Sequence, residues 1–311
     1  MPYLMIIAAT FLWGFGFIAT KWALTAVGPL WLTAIRYVLA WLTMLIFLKL
    51  YRKSSSELLI AESLHVKRWA LICGLLLAGL MVFQTVGLVF TTATNSAFLT
   101  TLYAVIVPFI CVVAFKVRLR LVYWVALTMA MVGVVMLCGF SMQPGEGFNF
   151  NRGDLYTVVG SVFAAAHIIG LEIFTRRPAS ISRFNMYQYF VTAFAVLPFA
   201  VLFESAPKTD LLLLSPLALW GIAFLAIPST VVSFTLQTVA QKHLPSTTAS
   251  LGLLLESPFA LLFAYLLLGE RLSLTQITGS VLVLVSSIIV VVPEMLKRRE
   301  VPDSLESIPG S

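Results

Sequence analysis

Charge is what this chain has least of. Of its 311 residues, 11% are Asp, Glu, Lys or Arg: 20 basic and 13 acidic side chains. Soluble domains carry about 25% charged residues, so a water-solvated globular fold is excluded. Hydrophobic residues make up 60% of the chain and the mean hydropathy is +1.00, which leaves an integral membrane protein. Cysteine is nearly as sparse. Cys73, Cys111 and Cys138 lie inside apolar runs at no metal-ligating spacing. They read as small core residues, which argues against a disulfide framework or a metal site. No H-E-x-x-H and no G-x-x-x-x-G-K-[ST] occurs, which removes a zinc hydrolase and a nucleotide-driven pump. Asp154, Asp210 and Asp303 fall at boundaries or in loops, so no pair of membrane-embedded aspartates exists for a protease. The expectation is a non-enzyme with no cofactor, no metal and no required ATPase subunit. A formal charge of +7 would suit nucleic acid, but the basic residues sit between apolar runs, as orientation signals do, and no nucleic-acid partner is expected.

What is abundant is apolar runs of membrane length. A helix needs about 20 apolar residues to cross the hydrocarbon core. Ten stretches qualify: 3–22, 29–50, 69–90, 94–114, 121–140, 154–174, 186–203, 217–239, 247–268 and 275–292. The first lacks a basic leader and an A-x-A site, so it reads as a retained span. Segments 54–63 and 143–153 read as loops. With a cytoplasmic N-terminus, only Lys21, Arg36, Arg152, Lys208 and Arg271 are left for the far side or the spans. The positive-inside rule therefore gives an even number of spans with both termini cytoplasmic. The fold class expected is an all-α polytopic membrane protein of ten transmembrane helices, multi-pass in the bacterial inner (cell) membrane.

The chain also repeats itself weakly. Arg118-Leu119-Arg120-Leu121 matches Arg271-Leu272-Ser273-Leu274 at an offset of 153, and Phe98–Tyr103 runs parallel to Gly252–Ser257. Halves of five spans each must be oppositely oriented. The expected organisation is two inverted five-helix repeats, 3–140 and 154–293, with a cytoplasmic tail at 294–311. Inverted repeats with a midplane site are an architecture of secondary transporters.

One set of motifs is more specific. The first half carries Trp13-Gly14-x-x-Phe17-x-x-x-Lys21-x-x-Leu24, then Pro29, Arg36 and Asn95-Ser96-Ala97-Phe98-Leu99-Thr100-Thr101-Leu102-Tyr103. The second carries Gly153-Asp154-Leu155, Thr175-Arg176-Arg177, Tyr187-Gln188, Leu255-Glu256-Ser257-Pro258 and Leu268-Gly269-Glu270-Arg271-Leu272-Ser273. In order, spacing and ten-span context the chain resembles the drug/metabolite transporter superfamily in its EamA-type branch, over about residues 3–293. Two positions depart from the pattern. Lys116-Val117-Arg118-Leu119 stands where the family often has Gly-Glu-Arg-Leu, and Gly16 stands where relatives often carry a small polar residue. The resemblance implies a monomer-capable carrier whose cavity is lined by helices 1, 3, 4, 6, 8 and 9, exporting or exchanging small metabolites without ATP.

Glu256 lies about 14 Å into its span, near the midplane. A carboxylate there costs about 2.5–3.5 kcal/mol on insertion scales, so it either faces a polar cavity, binding a solute ammonium or a proton, or bonds between helices near Pro258. His167 lies at nearly the same depth, about 10 Å in, and is either a relay or zwitterion partner or an imidazole bonded to a backbone carbonyl. Tyr103 and Trp13 are mid-span aromatics, either cavity walls or packing. Lys21 and Arg36 sit near the outer interface as snorkelling anchors or gate residues. Glu172 precedes Arg176 by four residues, the spacing of a helical ion pair. Asn95, Gln84 and Gln188 lie near span ends or in outer halves, where water can reach them. Gly74-x-x-x-Ala78 is a small-residue packing motif, and Pro108, Pro198, Pro228 and Pro258 are candidate hinges. The expected function is a secondary active transporter, exporter or exchanger, for a small polar or amphipathic metabolite such as an amino acid, with protons as a candidate coupling ion. The alternative is a channel-like or uncoupled uniporter, although no polar ring or filter-like run is visible.

Overall fold

The computed structural model describes residues 1–50, 64–137, 151–207, 215–271 and 273–300, with Leu137 and residues 291–300 described as backbone alone. The 54–63 loop, most of the 143–153 loop, Cys138, Lys208, Asp210 and the tail from 301 lie outside the described residues.

Among the described residues all regular structure is helical. The helices are α1 (Pro2–Ala23), α2 (Pro29–Leu50), α3 (Leu64–Phe90), α4 (Ala93–Thr100), α5 (Tyr103–Phe115), α6 (Leu121–Leu137) and α7 (Arg152–Thr175). There follow α8 (Ile181–Phe203), α9 (Pro216–Ala226), a π-turn (Ile227–Val232), α10 (Ser233–Gln241), α11 (Ser246–Leu253), α12 (Glu256–Leu268) and α13 (Leu274–Glu300). Among the described residues eight helical stretches are long and apolar enough to cross a membrane, and Leu121–Met136 and Leu274–Val290 are shorter apolar helices. Hydropathy finds hydrocarbon rather than helix ends, so α3 and α8 start earlier than expected. At α8 the Ser180 hydroxyl accepts from the Arg183 N–H at 3.5 Å and sets the start. At α7 Asn151 and Asp154 form a capping box.

Three of these stretches are not continuous helices. Ala93–Phe115 is broken at Thr101-Leu102, Ser246–Leu268 at Leu254-Leu255, and Pro216–Gln241 by the π-turn. The first two share one plan. Ala93 and Ser246 start the first segments, Tyr103 and Glu256 start the second, Phe115 and Leu268 end them, and Leu121 and Leu274 start the next helices. Lys116 and Gly269 both close their helices in the left-handed region, at φ 55° and 66°. Every pair is separated by 153 residues. This corrects the expected register by one: Phe98–Tyr103 corresponds to 251–256, so Tyr103 is the counterpart of Glu256. An apolar stretch has no side chains that fix a register by themselves; the breaks and left-handed caps do.

Packing follows the same exchange of halves. α3 packs on α7 and α8, while α9 and α10 pack on α1. α2 pairs with α8, α6 with α13, and α4 with α12. Where α3 crosses α7, Gly87 and Gly153 bring the backbones together: a Cβ on Gly87 would lie 2.8 Å from the Gly153 carbonyl oxygen. Gly74 meets Val191 of α8, as a packing motif should. Large apolar side chains such as Phe109, Leu202, Phe203 and Trp220 face outward, whereas Thr10, Asn185, Gln188 and Gln237 are buried. This is the distribution expected of a bundle solvated by lipid. Glu204, after α8, accepts from the Leu30 and Trp31 N–H groups at 2.9 and 3.1 Å and caps the start of α2.

Candidate functional site

The two breaks turn backbone and side chains toward a shared space. At each, the helical ladder tightens to three-residue spacing: Thr101 N–H donates to Phe98 O at 3.0 Å, and Leu255 N–H to Gly252 O at 3.3 Å. The helices that resume begin with Tyr103 and Glu256. Both line a shared cavity of about 60 Å³. Contributions come from α1, α2, α3, α5, α7, α10, α12, the π-turn and the ends of α4 and α11.

Glu256 is 6% exposed, and among the described residues its carboxylate takes no hydrogen bond and no ion pair. Its place at the start of α12 sets it at the positive end of the helix dipole. The Tyr103 hydroxyl and the Gln237 Oε1, on the same walls, are buried without a hydrogen-bond partner. Polar groups in low dielectric cost about 1–3 kcal/mol when unpaired, so a cavity with several of them is shaped for a polar solute.

Arg36 corrects the expectation of a snorkelling anchor. It is 7% exposed and turned into the bundle, where Nε donates to Thr230 Oγ1 at 2.6 Å and Nη2 to Ser229 Oγ at 3.2 Å. The π-turn makes this possible. Pro228 has no N–H and the looser turn frees carbonyls, which side chains then satisfy. Trp13 Nε1 donates to Ser229 O at 2.8 Å, and the Tyr189 hydroxyl to Thr230 O at 3.1 Å. Ser229 also compensates for Gly16: a Cβ there would lie 2.9 Å from Ser229 Oγ, so the facing helix supplies the small hydroxyl.

His167 shares the cavity but not the partner expected of it. Its Nε2 lies 3.2 Å from Gln188 Oε1, whose Nε2 donates to Asn185 Oδ1 at 2.8 Å. The chain ends at Thr235 Oγ1, 3.0 Å from Asn185 Nδ2. The ring is thus held from behind by side chains, neither by Glu256 nor by a backbone carbonyl. Gln188 is fully buried in that chain rather than near water. Trp13 and Phe234 stand 5.0 Å apart as an aromatic wall, and Gln84 donates to Thr100 Oγ1 at 3.0 Å. Asn95 lies away from the cavity.

Polar clamps hold both ends of the bundle. At one end Lys21 Nζ donates to Leu88 O and Thr91 O at 2.7 and 2.6 Å, and Thr91 Oγ1 to Asp154 Oδ1 at 2.6 Å. Glu270 accepts there from Ala93 N–H and Thr94 Oγ1, capping α4. At the other end Glu172 accepts from Ser246 N–H at 2.8 Å and from the Ser246 hydroxyl, capping α11. It also pairs with Arg176 at 2.7 Å, as the spacing predicts.

A family profile described as EamA-like transporter family matches residues 1–139 and 151–292. The chain belongs to the EamA-like transporter family. The transporter is 30% identical over 282 residues to an uncharacterized transporter of Archaeoglobus fulgidus, covering 90% of this chain and 82% of that one. It is 22% identical to the uncharacterized transporter YoaV of Bacillus subtilis over 281 residues, 89% and 92% of the two chains. A solved crystal structure matches with a TM-score of 0.72 at 17% identity, over 97% of this chain and 99% of the other, which shows the shared fold.

Within this transporter the departure at Val117 has a structural explanation. Its counterpart at the offset of 153 is Glu270, which caps α4. A glutamate at 117 would be placed to do the same for α11, and Glu172 does so instead. The sequence does not by itself point to the Glu270 and Glu172 caps, to Ser229 and Gln237 as cavity walls, or to Thr230 as the acceptor for Arg36. Glu270 itself stands in the motif Leu268-Gly269-Glu270-Arg271, without a sign of what it caps.

Proposed function

We infer that this EamA-like transporter is a secondary carrier, an exporter or exchanger, for a small polar or amphipathic metabolite such as an amino acid. It works by alternating access of two inverted five-helix repeats, 3–140 and 154–293, with ten spans in all and 294–311 as a tail. Both termini face the cytoplasm of a bacterial inner membrane. The observation that carries this reading is Glu256, a buried carboxylate with no hydrogen bond or ion pair among the described residues, facing a cavity beside helix breaks in both halves. Discontinuous helices at the midplane are where carriers of this architecture bind solutes. The two clamps support it as well, since each ties neighbouring helices together through hydrogen bonds that can break singly. A carboxylate that holds either a proton or a solute cation exchanges one for the other, which makes proton coupling natural at Glu256.

Counterflow in proteoliposomes tests the reading. Liposomes loaded with unlabelled solute are expected to accelerate entry of labelled solute severalfold over empty ones. Uptake that is indifferent to internal solute for every transported compound would instead mark a channel.

A further inference from the structure

The cavity holds a cation as well as an anion, and they are kept apart. Arg36 and Glu256 line the same space, yet among the described residues no ion pair of 4 Å or less joins them. Charges without a close ionic partner are costly at this depth, and the contact of the Arg36 guanidinium with the Tyr37 ring, 5.5 Å to its centroid, does not replace one. Arg36 has spare capacity. Of the five N–H groups that a guanidinium carries, the hydroxyls of Thr230 and Ser229 take one from Nε and one from Nη2. Both acceptors are neutral, so they orient the guanidinium without neutralising it. The planar fork that remains matches a carboxylate. The same walls offer the opposite set: the Glu256 carboxylate, the Tyr103 hydroxyl and the Gln237 Oε1, all of which can accept from an ammonium group. The rest of the wall is mostly apolar, with Phe17, Leu80, Met81 and Leu253, and carries Gln84 and His167 as well.

We propose that Arg36 is the anion-binding residue of this transporter, and that Arg36 and Glu256 together select a zwitterion with an apolar side chain. The π-turn is the element that aims Arg36, through Ser229 and Thr230. The positive end of the α12 dipole is already occupied by Glu256, which leaves Arg36 as the cavity's cation for a solute carboxylate. The proposal rests on the carrier reading for its transport meaning, but binding alone can test it.

The experiment is a thermal-shift and equilibrium-binding series on the purified full chain, using leucine and phenylalanine, their carboxamides and the matching acids that lack the amino group. Specific ligands stabilise the native state by mass action. At least one zwitterion is expected to bind at least tenfold more tightly than either of its one-charge analogues. Arg36→Gln is expected to lose that zwitterion and bind its carboxamide no worse than wild type does, with Arg36→Lys in between. Comparing analogues on the wild-type chain keeps the test valid even if a variant misfolds. A carboxamide that binds as tightly as its zwitterion, or no binding by any member of the series, overturns the proposal. If counterflow succeeds with a solute lacking a carboxylate, the carrier reading survives and this assignment falls. If a zwitterion binds but no solute shows counterflow, the reverse holds.

Discussion

Glu256, Tyr103 and Arg36 each sit where the surrounding bonds leave them unsatisfied or only half satisfied, and that separates them from the polar residues that merely hold helices together. His167 shows the contrast: the Gln188–Asn185–Thr235 chain anchors its ring through Nε2. With Glu256→Gln, both net uptake and exchange are expected to fall at least tenfold in proteoliposomes, because the solute cation loses its partner. Loss of pH-driven uptake alone, with exchange intact, would assign the carboxylate to the proton only. Normal transport of both kinds would leave it a structural role. A separate prediction concerns stability. Lys116 is the non-glycine residue at positive φ among the described residues, where a side chain costs about 1–2 kcal/mol. Its counterpart is Gly269, so Lys116→Gly is expected to raise stability in detergent by about 1 kcal/mol, read as an upward shift in Tm. An unchanged or lowered Tm would show that the lysine side chain offsets the strain.

Breaks and caps set the geometry at the next level up. Much of the helix plan was legible in the sequence because apolar length and positive-inside charge are local signals; α2 spans the 29–50 read from hydropathy. The breaks at Thr101-Leu102 and Leu254-Leu255 were not, since no proline or glycine stands at either pair. Pro108 and Pro198 lie inside helices, while Pro228 belongs to the π-turn and Pro258 follows the break by three residues. Glu256 was legible as a costly charge, whereas the inward turn of Arg36 depends on a π-turn almost two hundred residues away in the chain. The cap on α11 gives a direct check. Ser246→Ala removes the hydroxyl that Glu172 holds and is expected to cost about 1 kcal/mol. Gly87→Ala should cost more, about 1–3 kcal/mol, because its Cβ would press on the Gly153 carbonyl and on Thr157 Oγ1, 2.7 Å away. If both variants melt with wild type, the close approach of α3 to α7 and the α11 cap do not hold the bundle.

Taken whole, the molecule is a helical bundle with apolar side chains facing outward and polar groups around its cavity, and acidic residues near its two ends cap a neighbour's helix. Glu270 binds α4 at one end and Glu172 binds α11 at the other. Alternating access requires that these ends open in turn and never together. The most direct measurement places a single cysteine in the cavity at Gln84, with Cys73, Cys111 and Cys138 replaced by serine, and labels it with an impermeant thiol reagent from each side of sealed vesicles. A second cysteine pair, Thr94→Cys with Glu270→Cys or Glu172→Cys with Ser246→Cys, is protected by a short reversible crosslinker to lock one end. Locking either end is predicted to abolish labelling from that side while preserving it from the opposite side, and both locks together should leave Gln84→Cys unreactive. Labelling that passes a locked end, or that proceeds from both sides at once in a chain held in a single conformation, would contradict a carrier and leave a continuous pore.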